Sequence, residues 1–113
     1  KEKGVIYVPN ARTNQQMPIY WQMYENYNAN QVRLHIPTNF KSLTIPSLIV
    51  HGTKDETVPF SAGEELVSWN KNATLFPVEN ANHNFGGKHP WDSDALPEDL
   101  KMVIDETIRL FKV

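Results

Sequence analysis

The chain has 113 residues, 40% of them hydrophobic and 21% charged, with a formal net charge of −2. The length fits one small domain with a modest core, and the composition is ordinary for a soluble globular protein. The net charge and the lack of a long basic run argue against a nucleic-acid partner or an anionic membrane surface. No cysteine is present, so there is no disulfide framework and no thiolate chemistry. No apolar run approaches the ~20 residues that span a bilayer. The compartment is left open.

The chain begins Lys1-Glu2-Lys3-Gly4, without an initiator Met or an apolar leader. This fits a processed form, or a chain that starts inside a longer gene product. Val5-Ile6-Tyr7-Val8 is a short β-rich run ended by Pro9-Asn10. Met17 to Tyr27 is aromatic and reads two ways. Tyr20, Tyr24 and Tyr27 share one helix face, whereas Ile19, Trp21 and Met23 alternate as in a strand returning from a hairpin. Asn28 to Leu43 reads as a short helix and a turn, broken at Pro37. Residues 1–44 thus form an N-terminal hairpin or helix segment, with a lid, connector or dimer contact as its open roles.

Residues 45–113 are more regular. Ser47-Leu48-Ile49-Val50, between Pro46 and Gly52, has the continuous apolar character of a central parallel strand. Ser61 followed by Glu64 fits a capping box, which makes Ser61 a helix cap. The helix after it carries Ala62, Leu66 and Trp69 on one side. Ala73 to Val78 reads as the next strand, with Pro77 at an edge or near the strand end. Pro97 opens a last helix, with Glu98 and Asp99 in the first turn where the helix dipole favours acids. Leu100, Val103, Ile104, Ile108 and Phe111 form its expected buried stripe. Strand, helix, strand, helix implies βαβ units on a parallel sheet, hence the α/β class.

In open α/β sheets, reactive groups gather beyond the carboxyl ends of the strands. Asp55 lies just past one such end and His83 just past the next. Neighbouring strands would bring the two within hydrogen-bond reach. An acid that orients a histidine, and a histidine that takes a proton, are two parts of a Ser-His-Asp arrangement.

The run Leu48-Ile49-Val50-His51-Gly52-Thr53-Lys54-Asp55-Glu56-Thr57-Val58-Pro59 and the segment His83-Asn84-Phe85-Gly86 resemble the C-terminal part of an α/β-hydrolase fold. The likeness is to the prolyl-oligopeptidase and dienelactone-hydrolase-like serine hydrolases, and His89-Pro90-Trp91 and the closing helix share it. The resemblance implies Asp55 as triad acid and His83 as triad histidine, in the family's order of nucleophile, acid, histidine. It implies an ester or peptide substrate and no cofactor or metal. It places the nucleophile and the oxyanion hole before Lys1.

None of Ser42, Ser47, Ser61, Ser68 and Ser93 sits in a Gly-x-Ser-x-Gly elbow. The expected architecture is therefore the C-terminal portion of a parallel α/β-hydrolase sheet, incomplete on its own. Its partner would be the missing N-terminal half or a swapped copy of itself. The competing reading is a non-catalytic module that keeps the scaffold for binding or assembly. His51 reads as a buried, hydrogen-bonded residue near the site, and Glu56 as solvated surface. His83, His89 and Asp92 match no metal signature. His35 has no partner in sequence. Trp91 and the Tyr20 to Tyr27 cluster read as core or interface before acyl pocket.

Overall fold

A computed structural model describes residues 4–11 and 13–112. The chain divides into two compact units, residues 1–39 and 40–113.

In the first unit, β1 (Val5–Pro9) and β2 (Gln16–Tyr20) form an antiparallel hairpin, with Ile6 opposite Ile19 and Val8 opposite Met17. α1 (Trp21–Ala29) follows without a loop. Each pattern holds over only part of the aromatic stretch: Ile19 lies in the strand, but Trp21 and Met23, expected to continue its alternation, lie in the helix. Alternation holds through Tyr20, and helical spacing takes over at Trp21. Asn30 ends α1, donating its backbone N–H to the Asn26 and Tyr27 carbonyls. Two short helices come next, α2 (Gln31–Leu34) and α3 (Ile36–Ser42). Pro37 does not break a helix as the sequence implied. It lies in the first turn of α3, where its missing N–H has no intrahelical partner to lose. His35, just before α3, has its Nδ1 2.7 Å from the Thr38 hydroxyl.

In the second unit, β3 (Ser47–Gly52) and β4 (Ala73–Val78) run parallel, joined by α4 (Phe60–Trp69), and α5 (Glu98–Phe111) closes the unit. The register pairs Ser47 with Ala73 and Gly52 with Val78, so both strands end at the same level. Pro77 sits one residue before the end of β4, where it withholds a single N–H. The expected α/β arrangement is present as a small parallel sheet flanked by helices.

The core is thin. Val78 and Ala81 are the fully buried apolar side chains among the described residues. Burying Val78 contributes about 1.5–3 kcal/mol. Ala62, Leu66 and Trp69 of α4 are half-buried on one side, as their spacing predicts, and Gly63 beside them is buried. Asn70 ties the lead-in of β3 to the turn before β4. Its amide donates to the Phe40 carbonyl at 2.6 Å and the Leu43 carbonyl at 2.9 Å, and its side-chain oxygen accepts the Asn72 N–H at 2.8 Å.

Two expectations for the helices fail. Ser61 is not the cap of α4. The N-cap is Pro59 in extended conformation (ψ 144°), with no side-chain cap bond, and Ser61 already lies in the first turn. The stripe on α5 is not fully buried either. Leu100 and Val103 are half-covered, while Ile104, Ile108 and Phe111 are exposed. Glu98 and Asp99 do occupy the first turn of α5, although Pro97 is its N-cap rather than its first residue.

Candidate active site

The site lies at the shared carboxyl end of β3 and β4. Gly52 closes β3 against the loop after β4. A Cβ at Gly52 would overlap the Ala81 carbonyl oxygen, so only glycine permits this approach. The two loops are then stitched together. Thr53 N–H donates to the Val78 carbonyl at 3.0 Å, and Lys54 N–H to the Ala81 carbonyl at 3.1 Å. The Thr53 hydroxyl accepts the Asn80 N–H at 2.8 Å. Asn80 itself adopts φ 60°, a left-handed conformation that asparagine tolerates.

This seam brings Asp55 and His83 together, with His83 Nδ1 2.9 Å from Asp55 Oδ2. The other carboxylate oxygen, Oδ1, accepts the N–H groups of Thr57 and Val58, each at 2.8 Å. Burial of the carboxyl works to raise its pKa. The Val58 N–H, the His83 side chain, the Thr57 N–H and the His83 charge together outweigh it and lower the pKa to about 2. Asp55 is therefore ionised at neutral pH and offers only acceptors. The hydrogen bond requires His83 to donate through Nδ1–H, which leaves Nε2 with a free lone pair. The Asp55 side chain is 6% exposed and that of His83 is 43% exposed. The acid is thus enclosed and the base accessible.

The loop that carries His83 has its own supports. The Asn82 side-chain oxygen accepts the N–H groups of Asn84 and Gly86, both at 3.1 Å. Phe85 (φ 50°) and Gly86 (φ 78°) are both left-handed, and for a residue as bulky as Phe85 that is a strained conformation. Val50, His51, Asp55, Val58, His83 and Phe85 line a cleft of about 180 Å³. It contains no serine. The side chains that could remove a proton there are thus present without a hydroxyl to remove it from.

His51 is buried and hydrogen-bonded, as its sequence context implies. Its Nε2 lies 3.0 Å from the Val58 carbonyl and 3.4 Å from Asp55 Oδ2. The contact with Asp55 was not readable from sequence beyond the position of His51 at a strand end. The Thr53–Asn80 link also went unread, because it depends on two loops meeting; the Asn82 turn, local to its own loop, was not read either. Glu56 is exposed. Among the described residues, His89 and Asp92 join no cluster that could hold a metal, and Asp92 instead pairs with Lys88 at 3.3 Å. Trp91, Tyr20, Tyr24 and Tyr27 are exposed. No helix among the described residues is long and apolar enough to cross a membrane. No protein-family model matches the chain, and no curated protein matches it.

Proposed function

We propose that this chain supplies the acid and the base of a serine hydrolase that cleaves ester or peptide bonds, as the C-terminal part of an α/β-hydrolase fold. The observation that carries the reading is the Asp55–His83 hydrogen bond at 2.9 Å, with the far carboxylate oxygen held by two backbone N–H groups and Nε2 left open. In this reading His83 Nε2 takes the proton of a serine hydroxyl as that oxygen attacks the substrate carbonyl. Asp55 fixes the tautomer and stabilises the imidazolium that results. His83 then returns the proton to the leaving group, and water repeats the sequence to free the acyl group. The serine and the oxyanion donors come from the N-terminal half of the same fold.

The uncovered apolar residues of α5 and the two-stranded parallel sheet support a larger assembly. Parallel strands are stable when neighbours and helices cover them. The test is labelling of the complete polypeptide by a fluorophosphonate. Labelling that disappears in His83→Ala, with folding retained, supports the proposal. Labelling that survives that change, or an intact polypeptide with no reactive serine, favours a binding or assembly module instead.

A further inference from the structure

We propose that His51 is a positioning residue for His83, acting through the Asp55 turn; this deepens the hydrolase reading and rests on it. A carbonyl oxygen only accepts, so the 3.0 Å contact with Val58 requires His51 to donate through Nε2–H. The same nitrogen lies 3.4 Å from Asp55 Oδ2. A continuous chain of bonds results. His51 holds the Val58 carbonyl, the Val58 N–H holds Asp55 Oδ1, and Asp55 Oδ2 holds His83 Nδ1–H.

The ring at the head of this chain is itself locked. A Cβ at Gly63 would stand 2.7 Å from His51 Nδ1, so the imidazole packs closely against α4 at that glycine. Phe60 makes a T-shaped contact with it, with ring centroids 5.6 Å apart. The His51 side chain is 11% exposed. It is thus a rigid post between β3 and α4 that fixes the rotation of the Asp55 carboxylate. That rotation decides which oxygen meets His83.

The prediction depends on where the donor sits. Glutamine places an amide N–H close to the Nε2 position, asparagine places it a bond too short, and methionine removes it while filling similar space. We expect His51→Met and His51→Asn to speed exchange of the His83 Nδ1–H with water, read from its downfield proton resonance. The expected change is about threefold to tenfold, the scale of one net hydrogen bond. The kcat of the complete hydrolase should fall by a similar factor with little change in KM, and His51→Gln should restore both. A uniform loss in all three variants would mean that His51 only fills space, and unchanged exchange in the Met and Asn variants would equally overturn the inference. If His51→Met does not fold, the contrast between Asn and Gln decides. The proton resonance reports on His51 even if the fluorophosphonate experiment rejects a serine hydrolase, so the two failures are separable.

Discussion

The loop after β3 and the loop after β4 carry one ionisable group each and treat it in opposite ways. Asp55 is enclosed, with both oxygens engaged and a post behind its turn. His83 has one partner and an open nitrogen, on a loop shaped by Asn82 and by two successive left-handed residues. The difference teaches a division of labour. The group whose charge must stay constant is removed from solvent and over-determined. The group that exchanges a proton in the proposed reaction is held at one atom only.

Asp55→Asn breaks the comparison most severely. If the amide oxygen stays on Thr57 and Val58, its NH₂ faces His83 and forces Nδ1 to accept. The proton then moves to Nε2 and the base is lost. If the complete polypeptide is the proposed hydrolase, the expected loss in its kcat is on the order of 10⁴-fold, the scale for a wrong-tautomer histidine. The same variant reads the electrostatics. Because folding lowers the Asp55 pKa from 3.8 to about 2, its contribution to stability is fully present above pH 3.8 and is lost as pH falls through about 2. Unfolding free energies measured across that window should therefore fall more steeply in the wild type than in Asp55→Asn.

Gly52→Ala attacks the seam rather than either group. Its Cβ meets the Ala81 backbone, which cannot swing aside as a side chain would. A loss of about 1–3 kcal/mol in urea unfolding is expected from such overpacking, together with a weakened Asp55–His83 bond. Thr53→Val is milder. It removes the acceptor for the Asn80 N–H and should cost about 1 kcal/mol in the same measurement. A Gly52→Ala variant as stable as the wild type would show that the loops meet by some other route.

Features that depend on nearby sequence were readable before the structure. Short apolar runs bounded by Pro46 and Gly52, and by Ala73 and Val78, mark β3 and β4. The spacing of Asp55 and His83 past their ends follows from strand, helix, strand order. The capping box at Ser61 misled because the pattern is local while the outcome is not. Asp55 draws the Thr57 and Val58 N–H groups into its own turn, and Pro59 then starts α4 before Ser61 can cap it. The α5 stripe misled for a related reason. Periodicity shows that a helix has an apolar side, but not that anything covers it. The His51 contact was hidden because it forms only when β3, α4 and the Asp55 turn converge.

That exposed stripe has a practical consequence. With Ile104, Ile108 and Phe111 facing water on a helix whose first turn is acidic and whose last turn carries Arg109, α5 has the character of a detergent molecule. The chain prepared by itself should bind hydrophobic dyes, adsorb to surfaces and lose solubility as its concentration rises.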